Sequence, residues 1–340
     1  MKVSALSSPK DRKRVALAGF GVVGGGVYAR LRARPETYDV VGILCRDPAR
    51  HVGNGAQAGL FVTDPQNLPP YDILVEAIGG LAPAGDIVLG ALARGADVVT
   101  ANKTLVSRRF ADIEAAADAS GTRVLYSAAV GGGAPMLETV DEIAGRSEIA
   151  RLDAVLNGTT NFVLERLGAG ASLETAIREA QDKGFAEADP SADIDGIDAA
   201  EKLALLTRRA FGADIDPASI ETDPLAALAP DKIAAAARAG APFKQVASVS
   251  KTARGFRLAV RLKRVMAGDP LARPRREENC LVITCAGGET TLVQGKGAGR
   301  DPTADSAFAD IERLTRAPAR APRLRRPANW TRPVNESATS

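Results

Sequence analysis

The residues best suited to chemistry lie in one acidic segment, 187–202. It contains six carboxylates and ends on an amine: Glu187, Asp189, Asp193, Asp195, Asp198, Glu201 and Lys202. The only histidine in the chain is His51, so proton transfer would have to use carboxylates and lysines. Such a set could bind an ammonium group and move a proton to or from a reacting oxygen.

The end of this segment predicts a helix over Ile197–Phe211, with Asp195 as its N-cap. In that helix Asp198 and Lys202 share a face because they are four residues apart. The periodicity also fits a second interpretation, a solvated helix face whose ion pair is worth roughly 0.3–0.5 kcal/mol. That interpretation assigns five residues to a polar arc: Asp198, Glu201, Lys202, Arg208 and Arg209.

A nucleotide-binding fingerprint near the N-terminus favours the chemical interpretation. A short apolar strand beginning at Arg14 leads into a glycine-rich turn, and a helical stretch, Val27 to Arg34, follows. The residues predicted to bind cofactor are Gly19, Phe20, Gly21, Val22, Val23 and Gly24. The first glycine permits a tight turn, the second lets backbone approach the pyrophosphate, and the third allows close packing of helix on strand.

The end of the next strand bears on which cofactor binds. The strand Asp39–Leu44 is followed by Cys45, Arg46 and Asp47. An arginine here suits the 2′-phosphate of NADP, whereas an acidic residue would hydrogen-bond the ribose of NAD. Arg46 therefore favours NADP, and Asp47 leaves NAD open.

Length and composition bound the class of protein. At 340 residues the chain suggests about two domains, and 45% apolar residues are typical of a globular protein. A net charge of +3 is too small to indicate a nucleic-acid partner. The chain lacks an apolar run near the ~20 residues of a membrane span, and its start lacks the apolar core of a secretion signal. We therefore expect no membrane partner and a cytoplasmic location.

Alternating strands and helices through residue 126 predict a doubly wound parallel sheet. From Gly131 onward helical and β-rich segments mix, which predicts an α+β second domain. Proline and arginine dominate residues 317–340, which predicts a disordered tail.

Five motifs, taken in chain order, resemble those of homoserine dehydrogenases over about residues 12–312. They are the glycine-rich turn 19–28, Thr-Ala-Asn-Lys at 100–103, Asn-Gly-Thr-Thr-Asn-Phe at 157–162, the acidic segment, and Lys-Gly-Ala-Gly-Arg-Asp-Pro-Thr-Ala-Asp-Ser at 296–306. The resemblance implies reversible reduction of L-aspartate 4-semialdehyde to L-homoserine by NAD(P)H, in the biosynthesis of threonine, methionine and isoleucine. It also implies a homodimer formed through the second domain.

The resemblance implies roles for individual residues. Lys202 would exchange a proton with the substrate oxygen, with Asp198 beside it and Lys103 as a second lysine at the reaction centre. Glu187 and Asp193 would bind substrate, and Gly158 and Thr159 would form a loop against substrate and nicotinamide. Residues 296–316 would return to the nucleotide domain (1–126), leaving 127–295 as the catalytic and dimerisation domain.

Two departures from the family pattern matter. Many members have a glutamate where this chain has Ser127, and its carboxylate helps bind a monovalent cation. A cation here would depend on backbone carbonyls near Val130 and Gly132, so we assign no metal ligand. A C-terminal regulatory domain of the ACT type is also missing from the pattern, so we expect no inhibition by threonine through such a domain.

Two other functions share part of this pattern. Another amino-acid or semialdehyde dehydrogenase of the same architecture would keep the fingerprint but would not need the whole acidic segment. A non-catalytic dinucleotide-binding sensor would have no reason to carry Lys103 and Lys202 together.

Overall fold

The computed structural model describes residues 12–51, 55–297 and 299–316. They form two compact units, each described by itself. The first combines the residues up to Ala129 with the segment from Gly299, and the second begins at Val130 and ends before Gly299. The predicted disordered tail, with Trp330, lies outside the described residues. Among the described residues, no helix combines the length and apolar character that a bilayer span requires.

The first unit is an alternating α/β structure. Its elements up to the unit boundary are β1 (Lys13–Ala18), α1 (Val22–Arg32), β2 (Tyr38–Leu44), β3 (Phe61–Val62), β4 (Ile73–Glu76), α2 (Ala84–Ala93), β5 (Asp97–Thr100), α3 (Lys103–Ser120), β6 (Val124–Leu125) and α4 (Ser127–Val130). All strand pairs are parallel, in the order β3-β2-β1-β4-β5-β6. This order confirms the predicted doubly wound sheet, in which neighbouring β1 and β4 form the topological switch point.

The second unit contains a mixed sheet with helices. Its elements are α5 (Met136–Ala144), β7 (Ile149–Val155), α6 (Gly158–Gly168), α7 (Leu173–Asp182), α8 (Ser191–Ile194), α9 (Ile197–Phe211), β8 (Glu221–Thr222), α10 (Pro230–Arg238), β9 (Phe243–Thr252), β10 (Gly255–Arg264), β11 (Glu278–Cys285) and β12 (Thr290–Lys296). The strand order is β12-β11-β7-β9-β10-β8, antiparallel except for the β10–β8 pair. The predicted α+β class is confirmed, and α9 packs against β7, β9 and β10.

The first sheet buries both faces because side chains alternate along its strands. On β1, Val15 and Leu17 face a core that includes α1, whereas Ala16 and Ala18 face a core built with α2 and α3. A final helix, α11 (Arg300–Thr315), belongs to the first unit and packs on α1. A Cβ on Gly26 of α1 would lie 2.8 Å from the Cβ of Ala304, so glycine is what allows this close approach.

The predicted N-cap Asp195 is wrong. Asp195 instead ends the short helix α8, and Gly196 caps α9 with φ +81°. The left-handed backbone at Gly196 lies between the end of α8 and the start of α9, so the cap of α9 falls one residue later than predicted. The predicted helix Ile197–Phe211 itself has the observed bounds.

Candidate active site

In the first unit, the glycine-rich turn has the geometry that its spacing predicted. Gly19 has φ +99°, and a Cβ there would lie 2.5 Å from the carbonyl oxygen of Ala77. A Cβ on Gly24 would lie 2.1 Å from the carbonyl oxygen of Gly19. Gly21 precedes α1 with open space around its Cα and without a side-chain cap for the helix. The turn therefore offers the free N–H groups of a helix N-terminus, which attract phosphate.

Apolar side chains stay exposed at the switch point of the same sheet. Val22 is 66% exposed after β1, and Ile78 and Leu81 are 37% and 38% exposed after β4. These side chains follow neighbouring strands of the sheet, and exposed large apolar side chains are typical of binding surfaces. An open anion site beside apolar side chains fits a dinucleotide, whose pyrophosphate is charged and whose ring faces are apolar. Phe20 and Val23 lie in the same turn; Phe20 is buried and Val23 is half-buried.

Arg46 lies exposed just after β2 and makes no ion pair or hydrogen bond with another described residue. Its neighbour Asp47 differs, because its carboxylate pairs with Arg50 at 3.4 Å and accepts a hydrogen bond from the Ala49 N–H. The arginine is thus available to an anion, while the carboxylate that could serve a ribose is already engaged.

Sequence reasoning missed a buried polar network at the ends of β4 and β5. Glu76 is fully buried, and its carboxylate accepts from the Ile78 N–H at 2.8 Å and from the Thr100 hydroxyl. Asn102 donates to the Gly80 carbonyl at 2.7 Å and caps α3, whose first residue is the half-buried Lys103. The signal was a glutamate inside an apolar strand, since a buried carboxylate needs such partners.

In the second unit, the amine of Lys202 is held at two points. Nζ lies 2.9 Å from Oδ2 of Asp198 and donates to the Leu156 carbonyl at 2.8 Å. The two side chains are only 13% and 8% exposed. The solvated-face interpretation requires the amine of Lys202 to face bulk solvent. In the structure it does not.

The rest of the polar arc is also largely buried, so the solvated-face interpretation is wrong. Glu201 is 6% exposed and Arg208 is 9% exposed, while Arg209 pairs with Asp141 of α5. The apolar side chain of Ile197, by contrast, is 46% exposed at the start of the helix. The helix lies against the sheet and α5, so its polar residues are covered by tertiary packing that periodicity cannot report.

Asn157 brings the predicted carboxylates together, and the sequence had not marked it individually. Its Nδ2 donates to Oδ1 of Asp193 at 2.6 Å and to Oδ2 of Asp198 at 2.8 Å, while its Oδ1 caps α6 by accepting from the Thr160 N–H. Burial raises the pKa of Asp193, and the nearby charge of Asp198 adds to this effect. The sequence signal was an asparagine directly before a Gly-Thr-Thr run, a position typical of N-caps.

The first turn of α6 also holds the acidic segment, because the hydroxyl of Thr160 donates to the Asp193 carbonyl at 2.8 Å. The hydroxyl of Thr159 donates to the Phe185 carbonyl at 2.6 Å. Gly158 is packed so closely that a Cβ would lie 2.9 Å from the Cα of Glu277. Glu187 is exposed, and the hydrogen bonds between described residues do not join its carboxylate to this cluster. The structure thus joins Asp193, Asp198 and Lys202 but leaves Glu187 apart.

Position 127 does not supply the carboxylate of the family's cation site. The N–H and the hydroxyl of Ser127 both donate to the buried Asp310, each at 2.9 Å. Val130 ends α4, and Gly132 follows it in a turn with φ +59°. Within the described residues, groups of three or more histidine, cysteine or acidic side chains that could hold a metal are absent. We derive no chemical step through a cation.

Comparison with known proteins identifies the family. The family model for homoserine dehydrogenase matches residues 135–311, and the model for the NAD binding domain of homoserine dehydrogenase matches residues 19–127. The chain belongs to the homoserine dehydrogenase family. It is 33% identical to the enzyme of Pseudomonas aeruginosa over 326 residues, covering 92% of this chain and 75% of that protein. The reaction predicted from the sequence is thereby confirmed: the chain is an NAD(P)-dependent oxidoreductase of amino-acid biosynthesis.

Solved structures agree with this family membership. The crystal structure of a homoserine dehydrogenase from Thiobacillus denitrificans has a TM-score of 0.85 and 34% identity, covering 90% of this chain and 73% of that chain. A hyperthermophilic archaeal homoserine dehydrogenase, solved in complex with NADPH, has a TM-score of 0.77 and 25% identity, covering 89% of this chain and 98% of that chain.

Proposed function

We propose that Lys202 is the proton donor for reduction of the aldehyde and the proton acceptor for the reverse reaction. The observation that supports this role is the amine held by Asp198 and by the Leu156 carbonyl in a largely buried cluster. Because these two contacts restrain the side chain, the N–H bonds of the Lys202 ammonium have a fixed orientation. The ammonium can therefore stabilise an alkoxide and then protonate it.

The nicotinamide, when bound, supplies the hydride. The residues of the chain then manage charge: Lys202 neutralises the new alkoxide, and Asp198 keeps the amine oriented. A proton acceptor is needed again in the oxidative direction, and the same nitrogen can serve once it has released its proton. Lys103, on the first turn of α3, is proposed as the second lysine at the reaction centre.

The substrate carries an ammonium and a carboxylate besides its reacting group. We assign the ammonium to Glu187, because its exposed side chain is available for a new ion pair. Asp193, Gly158 and Thr159 would line the substrate from the first turn of α6 and from the segment that this turn holds. The tie from Thr159 to the Phe185 carbonyl supports a fixed loop at this position.

For the cofactor, we propose a preference for NADP over NAD. Arg46 supports this because it is exposed and makes no ion pair or hydrogen bond with another described residue, while the Asp47 carboxylate pairs with Arg50. Arginine is well suited to binding a phosphate through two hydrogen bonds. The NADPH in the archaeal relative agrees with this choice. Gly19, Phe20, Gly21, Val22, Val23 and Gly24 would hold the remainder of the dinucleotide.

We further propose that the first unit is the cofactor domain and the second the substrate domain. The NAD binding model matches residues 19–127, within the first unit. A homodimer through the second unit and a cytoplasmic location complete the proposal, both on the strength of the family.

The decisive experiment replaces Lys202 with alanine. We expect kcat for aspartate semialdehyde to fall by at least ~10²-fold, the usual scale for a general acid, with NADPH binding unchanged. Lys183→Ala is the matched control, because Lys183 is an exposed lysine of the same unit and its loss should leave kcat unchanged. A Lys202→Ala enzyme with wild-type turnover would place the proton donor elsewhere.

A further inference from the structure

The side chain of Asn157 performs two tasks that no other residue type could combine. Its carbonyl oxygen accepts from the Thr160 N–H at 2.7 Å, which caps α6. Its amide nitrogen donates to the carboxylates of Asp193 and Asp198 at 2.6 and 2.8 Å. Asparagine can do both because its short side chain ends in an amide, which has one acceptor oxygen and one nitrogen with two donor hydrogens.

The hydrogen bond from Asn157 to Asp198 matters because it ends on the carboxylate oxygen that contacts the Lys202 amine. Oδ2 of Asp198 lies 2.8 Å from the Asn157 amide nitrogen and 2.9 Å from Nζ of Lys202. The other contact of the amine is the carbonyl of Leu156, the residue directly before Asn157. Two consecutive residues thus fix the amine, one directly and one through Asp198.

The amide of Asn157 also contacts two acids that could compete for one cation. Asp193 and Asp198 both lie within hydrogen-bond distance of the same amide nitrogen, so their charges are close. The bond to Asn157 occupies Oδ1 of Asp193 and favours the charged form of Asp193. Without the Asn157 amide, the Lys202 amine could pair with either of two carboxylates and would have more than one stable orientation.

We propose that Asn157 is a positioning residue of this active site, which orients Lys202 by fixing Asp198 and by engaging the carboxylate of Asp193. The inference rests on the proposed role of Lys202 as proton donor. Asn157 itself touches neither reacting atom in this account; its effect passes through Asp198.

The test uses Asn157→Ser, because serine retains an N-cap acceptor but cannot donate to both carboxylates. We expect kcat to fall about 10- to 100-fold, which is the loss expected for hydrogen bonds to charged groups. The acid limb of the kcat–pH profile should move to higher pH, since carboxylates that lose a donor bind protons more tightly. NADPH affinity should stay unchanged.

Ser172→Ala is the control for a lost cap alone. Ser172 caps α7 in the same unit by accepting from the Thr175 N–H, and its exposed hydroxyl contacts no carboxylate of the cluster. We expect this variant to lose some thermal stability but to keep the kcat and the acid limb of the wild type.

Asn157→Asp keeps the size and the cap of the wild type but adds a third carboxylate, so it should lose more activity than Asn157→Ser. It also provides the readout should the serine variant fail to fold. Wild-type kcat and acid limb in either folded variant would overturn the inference. Its failure is distinguishable from that of the proposed function: a normal Asn157→Ser enzyme with an inactive Lys202→Ala enzyme refutes only the positioning role, whereas an active Lys202→Ala enzyme refutes the proton donor.

Discussion

Lys244 offers a quantitative test of the second unit, because its buried amine has no carboxylate of a described residue at hydrogen-bond distance. It lies on β9, is 3% exposed, and its Nζ donates to Oδ1 of Asn161 and to the Pro274 carbonyl. Burial, helped by the charge of Arg275, lowers the pKa of Lys244 to about 8, from 10.5 for an ordinary lysine. Lowering a pKa by this amount corresponds to roughly 3 kcal/mol.

The sign of the pH dependence follows from proton binding. Between pH 8 and 10.5 the unfolded chain holds the Lys244 proton more tightly than the folded protein does, so the free energy of unfolding rises with pH. This contribution is fully present above the unfolded pKa and is lost as pH falls through the folded pKa. Lys244→Met removes the titrating group, and the wild type should gain about 2 kcal/mol relative to this variant between roughly pH 7.5 and 9.5.

The assay is urea unfolding at each pH, followed by far-ultraviolet circular dichroism. The free energy of unfolding is compared between wild type and Lys244→Met for the transition that this substitution shifts. Lys251→Met is the control, because Lys251 lies on the same strand but is exposed and pairs with Glu148. This variant should follow the wild-type pH dependence. Carbon-13 titration of the lysine side chains should show one signal near pH 8 that Lys244→Met removes. Parallel pH dependences for wild type and Lys244→Met would refute the reasoning.

Three further outcomes are expected. Arg46→Ala should raise the Kd for NADPH about tenfold or more and leave the Kd for NADH nearly unchanged, because only NADPH carries the 2′-phosphate that the exposed guanidinium would bind. Equal effects on the two Kd values in fluorescence titrations would contradict that role. Gly24→Ala should abolish cofactor binding, since its Cβ would lie 2.1 Å from the Gly19 carbonyl, whereas Gly25→Ala meets open space and should bind normally. Gly158→Ala should lower the stability of the protein by about 1–3 kcal/mol and reduce kcat/KM in steady-state assays, because its Cβ would press on neighbouring backbone; an unchanged enzyme would show that the turn can shift freely.

Local patterns in the sequence determined much of this protein. The spacing of glycines between a strand and a helix predicted the turn at Gly19 and Gly24, because steric limits on a tight turn act between near neighbours. The bounds of α9 followed from the periodicity of its apolar residues. The separation of Asp198 from Lys202 by one helical turn was likewise fixed in advance, and the ion pair is present.

Only the tertiary structure decided which polar residues are buried and what they contact. Asn157 lies 36 residues from Asp193 and 41 from Asp198, and the network of Glu76 with Thr100 joins two strands. Lys244 meets Asn161 across 83 residues. Neither periodicity nor spacing reports such partners, because the free energy of burying a polar group depends on neighbours brought together by the whole fold. The periodicity of α9 alone therefore fitted both a solvated helix face and a buried cluster, and the packing of α9 against the sheet and α5 rules out the solvated face.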